Sequence, residues 1–169
     1  MAPSFLQLLR RDHDDVEAGL RALVRPRTCD LRNVIDGVRL GMLAHAEAED
    51  IVLDIMLGAT HSEALHHAMA EARMEHREQE RALGALMRTV PGTSLWRDRA
   101  LHLLALVRHH KLTQEPTLRT ALERDAPAEV VARLAGAFAT ERLRQLAMFA
   151  PSAPIAVPDE VCELMYATA

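Results

Sequence analysis

Apolar residues recur at intervals of three and four positions along five segments of the chain, and this spacing is typical of one buried face of an α-helix. The second segment shows it through Ile35, Val38, Met42 and Val52. Prolines, glycines or capping residues bound most of the segments. The pattern predicts helices over residues 4–24, 30–57 and 62–90, a fourth beginning at residue 93 or 94, and a fifth over residues 127–149.

Short connections join the first four predicted helices, and a short loop returns the chain beside the helix that it leaves. We therefore expect an all-α fold, an up-down-up-down antiparallel four-helix bundle over residues 1–125. A C-terminal helix and tail, residues 126–169, would pack on the bundle, with a partner-binding or swapped peptide as the alternative for the tail. No run alternates apolar and polar residues with the β-branched content of a strand, so we assign no sheet.

Polar residues interrupt the apolar faces of the second and third helices. His45 and Glu49 fall on the inward face of one, and His76 and Glu80 on the inward face of the other. A charged glutamate in an apolar core lowers stability by several kcal/mol unless it is paired or bound to a metal. We therefore expect a cation beside these side chains.

The first and fourth helices add further candidates. His13 lies on the apolar face of the first helix, and His110 shares a face with Val107 on the fourth, where neighbouring His109 points elsewhere. Glu115 follows His110 by five residues, about 140° around a straight helix. Pro116 removes a backbone donor, so we expect a kinked or widened turn that swings Glu115 toward the face of His110.

These motifs together resemble the hemerythrin-like HHE cation-binding domains: a lone His, then His-x3-Glu, His-x3-Glu and His-x4-Glu, over about residues 4–122. The resemblance implies a non-haem di-iron centre with two oxo- or hydroxo-bridged iron ions, terminal histidines and bridging carboxylates. Glu49 and Glu115 would be the bridges. The implied metal ligands are His13, His45, Glu49, His76, Glu80, His110 and Glu115.

Two positions depart from the family pattern. The oxygen-carrying members usually have a histidine where this chain has Glu80, and many bacterial relatives have an acid where it has Gln114, which leaves Glu115. Additional carboxylate favours oxidised iron, or manganese in its place. The resemblance thus implies binding of, or reaction with, dioxygen, peroxide or nitric oxide, in sensing, storage or peroxide removal. An enzyme of this kind would be a catalase-like oxidoreductase in which the metal pair performs the redox step.

Two alternatives remain open from the sequence. One is an iron sensor, in which loss of metal exposes buried charge and unfolds the bundle. The other is a metal-free helical module for interaction or regulation, with the fifth helix and the tail as its contact surface.

Composition narrows the classes of function. With 24 acidic and 20 basic residues the net charge is −4, so no basic surface for nucleic acid is expected. Cys29 and Cys162 are too few for a disulfide framework and suit a reducing compartment. No apolar run approaches a membrane span of roughly 20 residues. We expect a cytoplasmic protein with a diatomic or peroxide ligand, no nucleic acid and no membrane, and self-association or a protein partner through helix 5 or the tail.

Overall fold

The computed structural model describes residues 3–24 and 31–150. Within these residues there is no strand, and the all-α fold is confirmed. The expected helix start at Asp30, both cysteines and the tail from Pro151 lie outside the described residues. The helices are α1 (Phe5–Val24), α2 (Leu31–Leu57), α3 (Glu63–Met87), α4 (Ser94–Asp125) and α5 (Ala128–Phe149).

Local sequence sets the starts of three helices. Ser4 and Gln7 exchange side-chain-to-backbone hydrogen bonds at the start of α1, which is a capping box. The side chains of Ser62 and Thr93 each accept a hydrogen bond from the backbone N–H three residues on. These caps satisfy N–H groups that have no partner inside the helix.

Pro116 does not break α4, which runs continuously from Ser94 to Asp125. The proline and Leu112, whose carbonyl loses its donor, both lie on the exposed face. Water can satisfy a carbonyl there, so the helix tolerates the missing bond.

The first four helices pack antiparallel in a ring in which α1 contacts α2, α2 contacts α3, α3 contacts α4 and α4 closes on α1. Helix α5 lies along α1 and α2. Leu134 and Phe138 of α5 are fully buried, and Phe138 packs edge-on against Phe5 at 5.6 Å between ring centroids. In contrast, the apolar side chains of Leu143 and Met87 are exposed.

Two apolar clusters fill the bundle, one toward each end. The first gathers Leu9, Val52 and Leu118 with the buried face of α5, and the second includes Leu20 and Trp96. The polar residues of the apolar faces lie between the two clusters along all four helices. The fold therefore encloses a polar layer between two dry layers.

None of the helices within residues 3–24 and 31–150 combines the length and the apolar character needed to cross a membrane.

Candidate metal centre

Four side chains of the polar layer bring their ligand atoms within 4.8 Å of one another: His13 of α1, His45 and Glu49 of α2, and His110 of α4. All four are buried. Two ligands on opposite sides of one ion lie about 4.2 Å apart when each bond is about 2.1 Å. The group therefore has nearly the dimensions of a single coordination sphere.

His76 supplies the contribution of α3. Its Nε2 lies 3.7 Å from Oε2 of Glu49, and its ring centroid lies 4.7 Å from that of His110. Each helix of the ring thus contributes one buried histidine to the layer, with Glu49 among them.

Every one of these histidines holds a carboxylate at Nδ1, and in each case the acid belongs to a neighbouring helix. Metal-binding histidines usually donate the second ring N–H in this way, which orients the ring and leaves Nε2 free for the ion. The four contacts run in one direction around the ring. The acid of α1 contacts the histidine of α2, the acid of α2 that of α3, the acid of α3 that of α4, and the acid of α4 that of α1. They are Asp12 to His45 at 3.4 Å, Asp50 to His76 at 3.2 Å, Glu75 to His110 at 2.6 Å and Glu115 to His13 at 3.0 Å.

Three of the four acids are also paired with an arginine on their outer side. Arg142 of α5 contacts Asp12, Arg73 contacts Asp50 at 3.7 Å, and Arg10 contacts Glu115 at 3.2 Å. Glu75 instead accepts from Thr113 and lies 3.6 Å from Nε2 of His109. The charge of the outer acids is therefore largely balanced from outside the layer.

Several buried atoms of the layer lack a hydrogen-bond partner within the described residues. They are Nε2 of His76, Nε2 of His110, Oε2 of Glu49 and Oε1 of Gln114. An unpaired buried polar atom costs roughly 1–3 kcal/mol. Three of the four atoms belong to the histidines and the carboxylate of the layer, and a cation among them would provide the missing partner. The donor set of this chain fits a metal ion.

In the metal-free protein, a proton on His45 supplies part of the positive charge that a metal ion would bring. Burial lowers the pKa of His45, but the carboxylates of Asp12 and Glu49 outweigh it and raise the pKa to about 9. Burial and the charge of His45 lower the pKa of His13 to about 4. Charged His45 therefore donates from Nε2 to Nε2 of neutral His13 at 2.9 Å, and His13 donates from Nδ1 to Glu115.

Glu49 is charged although its exposed fraction is 0%. Burial raises the pKa of its carboxyl, but the His45 ring 3.2 Å from Oε2 and the positive potential of the histidines lower it well below the usual range. Gln114 also donates from Nε2 to Oε1 of Glu49 at 2.7 Å. The negative charge in the layer is thus stabilised by donors and, in part, by the His45 cation.

The structure brings together five of the seven side chains expected at the centre, namely His13, His45, Glu49, His76 and His110. Glu115 is buried, but it lies outside the inner group of ligands, between Nδ1 of His13 and Arg10. The expected inward placement of Glu80 is wrong. It is exposed, because the buried face of α3 continues from His76 through Gln79 to Leu83.

Sequence reasoning missed the outer acids Asp12, Asp50 and Glu75, and it treated Gln114 only as a departure from the acid of many relatives, not as a buried neighbour of Glu49. The spacing of acids and histidines along the sequence does contain a signal for the outer acids. In α1 and α3 the acid immediately precedes the histidine, and in α2 and α4 it follows the histidine by five residues. The second arrangement was recognised only in His110 and Glu115, where it was interpreted as a pair of ligands.

A cavity of about 210 Å³ between α2 and α3 reaches the layer from the surface. Its lining includes His76 and Gln79 at the buried side and the exposed Glu47, Arg77 and Glu80. With water occupying about 30 Å³ per molecule, such a cavity has room for a few small molecules.

No family model matches this chain, and no curated protein or solved structure matches it either. The fold and the layer of histidines are therefore interpreted from their own geometry.

Proposed function

We propose that the polar layer holds non-haem iron and that the protein binds or reacts with dioxygen, peroxide or nitric oxide. The observation that carries the proposal is a layer of four buried histidines around Glu49, one from each helix, with every Nδ1 held by a carboxylate. Mixed imidazole and carboxylate ligands suit iron and also manganese. Iron in such a site supplies a change of oxidation state and an affinity for small oxidants.

The residues around the layer would control the environment of that reaction. The two apolar clusters keep bulk water from both ends of the bundle, which strengthens electrostatic interactions within the layer. Phe138 covers His45 with its ring at a centroid distance of 5.9 Å. The cavity beside His76 provides a path for a diatomic molecule or peroxide.

A di-iron form, which the resemblance to hemerythrin-like domains implies, places an additional demand on the chain. A second bridging carboxylate would have to lie beside Glu49. Glu115, the residue expected in that role, would first have to leave both His13 and Arg10.

The test is iron content per chain after expression with iron supplied, together with the visible absorption spectrum. Glu49→Ala and His45→Ala should lose the iron, because each removes a buried ligand. His66→Ala is the matched control, since His66 is exposed and lies outside the layer. Retention of iron by all three variants, or its absence from the parent protein, would contradict the metal centre.

Reactivity is tested on the iron(II) protein by adding dioxygen, hydrogen peroxide or nitric oxide and recording the spectrum. We expect at least one of these to change the spectrum within seconds to minutes. Iron-loaded protein that is inert to all three would leave the metal centre intact but would contradict the proposed function.

A further inference from the structure

The four helices of the ring repeat one pattern twice, so that the pair α1–α2 corresponds to the pair α3–α4. The histidines correspond by their order on the helices, and the outer acids correspond by their spacing from those histidines. The equivalent positions are His13 with His76, His45 with His110, Asp12 with Glu75, and Asp50 with Glu115.

The repeat fails at the one position that carries charge inside the layer. Glu49 lies four residues after His45, and the equivalent position four residues after His110 is Gln114. Both side chains are buried, and they meet each other through the 2.7 Å hydrogen bond from Nε2 of Gln114 to Oε1 of Glu49. The two halves therefore contribute one carboxylate and one amide where full symmetry would give two carboxylates.

From this asymmetry we infer that the centre takes a single ion and that Gln114 is the residue that prevents a second. This inference rests on the proposed function, since it concerns the iron of that same layer. It departs from the two irons that the resemblance implies.

The number of donors supports one ion. His13, His45, Glu49 and His110 form one group of four donors, and His76, whose Nε2 lies 3.7 Å from Oε2 of Glu49, adds a fifth at its edge. Five donors leave one open position on a six-coordinate ion. Shared between two ions, the same five would leave each with too few protein ligands. The close grouping of His13, His45, Glu49 and His110 is likewise that of one coordination sphere.

The balance of charge supports it as well. One divalent ion beside Glu49 leaves an excess of one positive charge in the layer, whereas two leave an excess of three before a bridging oxide or hydroxide is counted. Uncompensated charge in a dry interior is strongly unfavourable. Three of the four outer acids, Asp12, Asp50 and Glu115, are already paired with arginines, which leaves Glu75 alone to offset the excess.

Gln114 fits this role in a second way. Its amide donates to Glu49 and holds one carboxylate oxygen, while its own Oε1 is buried without a partner. A carboxylate at the same position would repel Glu49 in the absence of metal and bridge to it in the presence of a second ion.

The experiment exchanges Glu49 and Gln114, which occupy equivalent positions in the two halves of the repeat. Iron per chain is measured by elemental analysis on the parent protein, on Gln114→Glu, on Glu49→Gln and on the double exchange of both. We expect one iron in the parent, two in Gln114→Glu, none held tightly in Glu49→Gln, and one again in the exchange, which moves the lone carboxylate to the other half.

Electron paramagnetic resonance of the oxidised samples gives a readout independent of activity. A single high-spin ferric ion gives a signal, whereas two ferric ions coupled through a shared ligand cancel their spins. The signal should be present in the parent and in the double exchange and should be lost in Gln114→Glu. The double exchange keeps the net charge of the layer equal to that of the parent protein, so it also serves as a control for folding.

Two irons per chain in the parent, or one iron in Gln114→Glu, would overturn the inference while leaving the iron centre in place. A parent protein that holds no iron would overturn the proposed function and the inference together. The two failures are therefore distinguishable in the first sample measured.

Discussion

Each histidine of the layer depends on an acid of another helix, and Glu75 is the clearest case because its oxygen lies 2.6 Å from Nδ1 of His110. Glu75→Gln keeps the shape but removes the charge that orients the ring and increases its basicity. Loss of such a partner typically lowers metal affinity by about 10- to 100-fold. Competition with a chelator measures the change.

The matched control is Glu78→Gln, the same substitution one turn further along α3 at an exposed position. Its metal affinity should equal that of the parent. Equal affinity in Glu75→Gln as well would show that the outer acids do not support the ligands.

His45 links the stability of the metal-free protein to pH. Its pKa is raised from 6.5 to about 9 in the folded chain, so its contribution to stability is fully present below pH 6.5. That contribution is lost as the pH rises toward 9. We expect the free energy of unfolding in urea, measured after chelation, to fall between pH 7 and pH 9.

His45→Gln is the control for this titration, because it removes the ionisable ring and keeps a polar side chain. The decline between pH 7 and pH 9 should be smaller in the variant. A parent protein whose stability rises over the same interval would contradict the raised pKa.

At the scale of the elements, α5 is held by few buried side chains, and Phe138 is the largest of them, at 1% exposure. Phe138→Ala should lower the free energy of unfolding by about 3–5 kcal/mol, the usual cost of removing a buried aromatic ring. Because the ring also covers His45, metal release should become faster. Chemical denaturation and chelator kinetics measure the two effects.

Leu143→Ala provides the comparison on the same helix. Leu143 is 67% exposed, so its truncation should change stability by no more than about 0.5 kcal/mol. Comparable losses in both variants would mean that α5 is not anchored through Phe138.

The sequence predicted the elements better than it predicted their contacts. Apolar spacing placed five helices and put His13, His45, His76 and His110 in the interior, because burial follows helical periodicity directly. It could not decide between Gln79 and Glu80, since three- and four-residue steps both continue the buried face of α3 after His76.

The cross-helix acids were harder still to predict. Asp12 adjoins His13 in the chain yet serves His45, because adjacent residues on a helix point in different directions. Which neighbour such a side chain meets depends on how the helices are arranged around the bundle. Spacing within one segment does not contain that information, and it led to Glu115 being interpreted as an inner ligand.

At the scale of the whole molecule, the charge inside the metal-free layer is already partly compensated, since the His45 cation lies 3.2 Å from Oε2 of Glu49. Removal of metal should therefore lower the melting temperature, because the ion stabilises only the folded state, but should leave the helices formed. Far-ultraviolet circular dichroism before and after chelation measures this. Collapse of the helical signal would instead favour the iron-sensor alternative.

The one-way ring of acid–histidine contacts also bears on the handedness of the bundle. Four antiparallel helices with short loops can turn clockwise or anticlockwise, and an apolar stripe on each helix satisfies both topologies. In the mirror arrangement Asp12 would face α4 instead of α2, and each of the other three acids would likewise face the wrong neighbour. The four contacts, present only in one topology, thus discriminate between two folds that hydrophobic burial alone would leave nearly equal in energy.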